Sequence, residues 1–172
     1  MSSEAGGKAR LFLNISHKSI SDETFLPWLS IALKAAKLAS DAIVIQIYEN
    51  DATSYIKQAT KFTKGLAELH CKSSINHFGC SLNPFNLLKH LTPDYVKLDG
   101  SFAQDLEDSE EKQTKLSEMI QSLQASGVLT AISGVESPNV LVLLWQTGLN
   151  CIQGYCLSPP LDTMECDFSD DI

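Results

Sequence analysis

The stretch that most constrains the fold of this chain is Ser73-Ser74-Ile75-Asn76-His77-Phe78-Gly79. An apolar strand runs into it, two polar side chains, Asn76 and His77, stand where that strand is expected to stop, and a glycine closes it. Four other strand-like runs end in the same manner: Leu13-Asn14, Ile45-Gln46-Ile47-Tyr48-Glu49, Val96-Lys97-Leu98-Asp99 and Ile132-Ser133-Gly134-Val135-Glu136. In a barrel of parallel strands, the C-terminal strand ends are where chemistry is done.

Between these runs the spacing of apolar residues predicts helices. Ser21-Asp22-Glu23-Thr24 reads as a helix start, with Ser and Asp able to cap free N–H groups. That helix is expected to reach about Leu38, burying Phe25, Trp28, Leu29, Ala32, Leu33 and Ala36. A second is expected from Asp51 to Leu69, burying Tyr55, Ile56, Ala59, Phe62, Leu66 and Leu69. Asn83-Pro84 is a third start, with proline at the first helical position. Phe102 to Ala125 is expected to form a long charged helix, in which Glu107 to Glu111 is a solvated beginning. Pro138 opens a last helix toward Gly148. The strands are placed at Arg10–Ile15, Ala42–Ile47, Cys71–Ile75, Tyr95–Leu98, Val128–Ile132 and Cys151–Gly154. Six alternations of strand and helix argue for parallel α/β architecture with right-handed crossovers. No glycine-rich loop follows the first strand, so a dinucleotide-binding or P-loop fold has little support.

Charge narrows the partners. A net charge of -8 opposes non-specific binding to nucleic acid and to anionic membrane surfaces. No apolar run approaches the roughly 18 residues that span a bilayer. The five cysteines are odd in number and show no Cys-x-x-Cys spacing, which fits reduced thiols in a cytoplasmic protein. Residues 1–9 are small and polar, and read as a disordered leader. The tail 162–172 is acidic.

The strand ends also resemble a family. Asn14-Ile15-Ser16, Gln46-Ile47-Tyr48-Glu49, Asn76-His77-Phe78-Gly79, Lys97-Leu98-Asp99-Gly100-Ser101-Phe102, Ser133-Gly134-Val135-Glu136-Ser137 and Gln153-Gly154-Tyr155, closed by Ser158-Pro159-Pro160-Leu161, are similar to the ordered motifs of EAL domains. These are (β/α)₈ barrels that hydrolyse cyclic di-GMP. The resemblance covers residues 10–161 and implies an incomplete TIM-type barrel of about six βα units, without the Glu-Ala-Leu segment that names the family. Such a remnant has two raw sheet edges, so a homo-oligomer formed through an edge or an exchanged element, or marginal stability, is expected; the alternative is a compact monomer whose flanking helices collapse over the gap.

The resemblance also implies a residue map. Active members hold divalent metals with carboxylates and one Asn, and a Lys helps to place the attacking water. Asn14 matches the ligand Asn and Lys97 the Lys. Gln46, Asn76, His77 and Ser133 stand where the family has carboxylates. Hard cations need anionic oxygen ligands, so no metal and no hydrolysis are expected. Glu136 and Gln153 match positions that face a guanine edge; the alternative is two exposed loop residues. Lys97 is either a phosphate-binding cation or an interior Lys paired with Asp99 or Glu136. His77 reads better as a polar loop residue than as a ligand. Cyclic di-GMP binding through Glu136, Gln153, Lys97 and Asn14 is the expectation. FimX-type receptors, which regulate type IV pili and twitching motility, have similarly degenerate motifs, and Asp167-Phe168 lies in a comparable acidic tail. A PilZ-type or other signalling protein is the candidate partner. The alternatives are a scaffold that has lost the nucleotide and, more remotely, an active phosphodiesterase.

Overall fold

The computed structural model describes residues 10–154 and Leu157. The leader 1–9, the closing Ser158-Pro159-Pro160-Leu161 motif and the acidic tail lie outside the described residues. Six strands form one sheet: β1 (Leu11–Ile15), β2 (Ile43–Tyr48), β3 (Lys72–Phe78), β4 (Tyr95–Leu98), β5 (Leu129–Ile132) and β6 (Cys151–Ile152). Every neighbouring pair is parallel, and the order is β1-β2-β3-β4-β5-β6. A doubly wound sheet reverses its order at a switch point. Here each crossover adds the next strand on the same side, which is the order of a barrel. β1 and β6 remain as its two edges.

The core lies between the sheet and the helices. Ile45, Ile47, Ile75, Val96, Leu98 and Ile132 come from alternate positions of β2 to β5 and are fully buried with Phe62, Leu66, Leu116, Ile120 and Leu144. Burying each such side chain is worth about 1.5–3 kcal/mol. Because strand side chains alternate in direction, the polar residues between these positions face the opposite, inner side.

Four expectations need correction. The first predicted helix is two, α1 (His17–Ser21) and α2 (Phe25–Ala36). Asp22 separates them: its Oδ1 accepts the Thr24 N–H at 2.8 Å and the Thr24 hydroxyl at 2.7 Å, which starts α2 afresh. Only Leu29 and Leu33 of the predicted stripe are fully buried, while Trp28 is 59% exposed and Ala36 is also outside. The second predicted helix breaks at Tyr55 into α3 (Glu49–Ser54) and α4 (Ile56–Glu68). Tyr55 leaves the buried stripe and stacks on His17, rings 5.2 Å apart. The long charged helix starts late, as α5 (Glu110–Ala125), where the Ser109 hydroxyl accepts the Lys112 N–H. Gly100–Ala103 is a separate 3-10 turn. Glu107 is not part of α5 and accepts the Ser137 hydroxyl at 2.6 Å. Finally β3 continues to Phe78, so Asn76 and His77 sit within the strand rather than beyond it. Pro84 does open a helical segment, a 3-10 turn over Pro84–Lys89, and α6 spans Pro138–Gln146.

Candidate functional site

The inner side of the sheet gathers the polar strand ends. Asn14, Gln46 and Ser74 are register partners across β1, β2 and β3, and Tyr48 pairs with Asn76 one step further along. The Asn76 side-chain amide donates to Asn14 Oδ1 at 3.2 Å, reaching over β2. Asn76 also accepts the His77 N–H at 3.0 Å through its own Oδ1. Gln46 lies beneath this bridge, 3% exposed. Its Nε2 and the Ser74 hydroxyl, on neighbouring strands, are buried without a hydrogen-bond partner among the described residues.

On the far side of the basin Lys97 donates to Gln153 Oε1 at 2.5 Å. Neither Asp99 nor Glu136 pairs with it, so of the two readings of Lys97 the interior ion pair is not what forms. Partial burial lowers the Lys97 pKa below the usual lysine value. The β5–β6 ladder continues past the strands proper: the Gln153 N–H bonds the Ile132 carbonyl at 2.9 Å and the Val135 N–H bonds the Gln153 carbonyl at 3.3 Å. Gly154 permits this approach, since a Cβ there would run into the backbone of Val135. Glu136 follows directly but lines another recess, together with Asp105, Glu107 and Asp108. Ser133 is half-buried at the end of β5 and lies against Gly100, whose absent Cβ would come within 2.9 Å of the Ser133 carbonyl.

His77 has a left-handed backbone, φ 55°, which places its ring outside the inner row. Its Nδ1 lies 2.6 Å from Asp99 Oδ2 and its ring packs against Tyr48 at 5.4 Å. Asp99 is held well below the ordinary carboxylate range, at about 2, first by the Ser101 side chain, then by the Ser101 N–H, which it accepts at 2.9 Å, and by His77 and Cys80.

Sequence reasoning gave Glu49 no role, yet it is the most deeply buried carboxylate among the described residues. It is 2% exposed and accepts the backbone N–H groups of Gly79 and Cys80, each at 3.0 Å, and the Ser81 hydroxyl. Gly79 has φ 98°, and a Cβ there would press into the Phe102 ring at 2.6 Å. The signal was present in sequence as an acid closing one strand and a glycine closing the next, but nothing there fixes that the first clamps the loop after the second.

This arrangement of parallel strands with polar C-terminal ends is shared with known proteins. The family model for the EAL domain matches residues 1–160, and the chain belongs to that family. The solved FimX EAL domain from Pseudomonas aeruginosa bound to c-di-GMP is similar at 51% identity and a TM-score of 0.89, over 93% of this chain and 66% of that one. The Xanthomonas citri FimX EAL domain in complex with c-diGMP is 25% identical with a TM-score of 0.88, over 95% of this chain and 65% of that one. Among curated relatives, the cyclic di-GMP phosphodiesterase PdeF of Escherichia coli is 23% identical over 158 residues, 90% of this chain and 21% of its own length. The chain therefore spans about two-thirds of the matched FimX domains and about a fifth of that phosphodiesterase. The sheet is an incomplete TIM-type barrel of the EAL fold.

The inner residues do not fit the metals of the active members. Asn14, Gln46, Asn76 and Ser133 offer neutral oxygens, and Asn76 is already bonded to Asn14. The two nearby carboxylates are committed, Glu49 to the loop and Asp99 to His77 and Ser101. Among the described residues no three His, Cys, Asp or Glu side chains gather as a metal site. No described helix is long and apolar enough to cross a membrane.

Proposed function

We propose that this chain is a catalytically inactive EAL domain that receives cyclic di-GMP rather than hydrolysing it. The observation that carries the reading is the Asn76–Asn14 hydrogen bond, which joins two amides where the family resemblance implies a carboxylate and an Asn around a metal. Metal-assisted hydrolysis needs a Lewis acid and a water of lowered pKa. An amide pair supplies neither, and no step through a metal follows from this site.

Binding is a separate matter and survives the loss of the cage. Lys97 is a half-buried cation with a neutral partner, so its charge is available to a phosphate. Gln153 orients the ammonium and presents its own amide. Glu136 stands apart, in its recess with Asp105, Glu107 and Asp108, and its carboxylate can accept from the N1–H and amino edge of a guanine that reaches there, while Asn14 stands at the opposite wall of the basin. The 51% identity to a FimX EAL domain solved with c-di-GMP supports nucleotide binding. A role in type IV pilus biogenesis and twitching motility, through a PilZ-type or other signalling partner, is part of the same proposal and follows from the FimX-type resemblance of the motifs. The reading puts the receptor in the cytoplasm, with 10–161 as its barrel portion.

Calorimetric titration with cyclic di-GMP, run once with EDTA and once with Mn²⁺, tests the proposal. Saturable binding in both, with intact nucleotide recovered, is the expected result. Release of linear dinucleotide would return the chain to the phosphodiesterases. No heat in either would favour a scaffold that has lost the nucleotide.

A further inference from the structure

A second cavity, of about 510 Å³, opens beside the basin between the start of α3 and the loop after β3. Tyr48, Asn50, Asp51, His77, Cys80 and Ser81 line it; none of Asn14, Gln46, Lys97, Ser133, Glu136 or Gln153 does. We propose that this cavity is a docking pocket for an arginine side chain on a partner protein, in a segment that places an apolar residue next to that arginine.

The chemistry of the walls selects the guest. No Lys or Arg lines the cavity. Glu49 forms part of the wall but is saturated by three donors from the loop, so it rigidifies the pocket instead of binding. Asp51 is different. Its Oδ2 accepts the His17 N–H at 3.1 Å, while its Oδ1 has only the His17 ring nitrogen nearby, at 3.9 Å, beyond hydrogen-bond reach. One carboxylate oxygen is therefore free for a charged donor. The Tyr48 ring is exposed at the rim and tilted against His77, giving a flat aromatic surface. A planar guanidinium both stacks on such a surface and forks onto a carboxylate, which a compact ammonium does not. Phosphate-bearing ligands are disfavoured in this cavity by the carboxylates of its wall, which no described Lys or Arg offsets.

A second observation concerns the loop itself. Leu82 follows Ser81 in the chain and is fully exposed. The backbone just before it is fixed by Glu49. An apolar side chain held in water by an anchored loop loses little conformational entropy on contact, so it suits the edge of an interface.

The probe is the dipeptide N-acetyl-Arg-Leu-amide, followed by ¹H–¹⁵N NMR on the intact chain. Saturable shifts at Tyr48, Asp51, His77, Cys80 and Ser81 are expected, weakening with added salt. The citrulline analogue, identical in shape but neutral, is expected to bind about tenfold more weakly. Asp51→Asn keeps the acceptor for the His17 N–H and is expected to show the same loss for the arginine peptide. Leu82→Ser is expected to weaken binding by a few-fold. Equal binding of the arginine and citrulline peptides, or shifts that do not saturate at these residues, overturns the proposal. The citrulline comparison uses the unmodified protein, so the charge requirement is decided even if a variant fails to fold.

Discussion

Asn76 and Asn14, 62 positions apart in the chain, are joined side chain to side chain at 3.2 Å across the C-terminal end of the barrel strands. The bond closes the inner basin with two neutral amides. A divalent cation placed there would have to break it and would find only uncharged oxygens in return.

From this we expect no turnover of cyclic di-GMP with either Mg²⁺ or Mn²⁺. Asn76→Asp alone is not expected to restore it, because Gln46, His77 and Ser133 still withhold the other charges. Chromatography of nucleotide incubated with the unmodified chain and the variant provides the check. Mn²⁺-dependent product from the unmodified chain would contradict the inference.

Much of this was legible in the residues. The six strands fall within two or three residues of their expected places, and Tyr95–Leu98 coincides with β4, because alternating strand and helix periodicities report directly on burial. The helix breaks at Asp22 and Tyr55 were not legible. Asp22 looks like an N-cap in any register, and whether it starts one helix or separates two depends on which N–H it meets, here that of Thr24. Tyr55 has the spacing of a core residue and leaves the core only because His17, 38 positions earlier, offers it a stacking surface. The site shows the same division. The loss of charge at Gln46, Asn76 and Ser133 could be read residue by residue, whereas the pairing of Lys97 with Gln153 and the grip of Glu49 on Gly79 and Cys80 are contacts between distant strands ends and loops, set by sheet curvature and register.

Glu49→Ala should destabilise the fold. The substitution leaves two backbone N–H groups and the Ser81 hydroxyl without their acceptor in a poorly hydrated corner. A loss of about 1–3 kcal/mol is expected, with faster amide exchange at Gly79 and Cys80. Chemical denaturation with hydrogen exchange reads both. A melting curve matching the unmodified chain, with unchanged exchange, would remove the clamp from the account.

Nucleotide affinity is expected to depend on Lys97 and Glu136 in different ways. Lys97→Met removes the charge opposite phosphate and should weaken binding by about 1.5–3 kcal/mol. The unmodified chain should lose the same contribution as pH rises through the lowered Lys97 pKa, sooner than for an ordinary lysine. Glu136→Ala should cost about 1–3 kcal/mol if its acceptor role toward guanine holds. Calorimetry across neutral to alkaline pH separates the two, and an unchanged affinity in Glu136→Ala would confine that residue to its acidic recess.

Asp99 carries a pH signature. Its folded pKa, about 2, lies below the ordinary aspartate value of 3.8, so the unfolded chain binds the proton more readily. The stabilisation is therefore fully present above the unfolded value, and is lost as pH falls through the folded one. In Asp99→Asn this part of the acid limb should vanish. Urea midpoints measured from pH 5 down to pH 2 for both chains give the test: parallel curves would show that Asp99 is no better stabilised folded than unfolded.

The last expectation concerns the open side of the barrel. Among the described residues β1 pairs only with β2, which leaves its outer row of N–H and C=O groups without a described strand. Its side chains are uncovered on both faces: Leu11, Phe12 and Leu13 are 40%, 39% and 42% exposed. α2 exposes Trp28 and Ile31, and α6, which precedes the other edge strand, exposes Val142 and Trp145. An apolar edge strand is a template for another chain, and exposed apolar side chains elsewhere on the surface favour association further. We therefore expect the chain to self-associate through the β1 edge, with the oligomer growing as concentration rises. Leu13→Lys should oppose it, because a lysine on an edge strand must be buried before a second strand can pair there. Light scattering over a hundredfold concentration range, on the chain and on this variant, decides the matter. A shift of the variant toward monomer, at the same melting temperature in dilute solution, would locate the contact at β1. A monomer at every concentration in the unmodified chain would show that the exposed edge is tolerated without a partner.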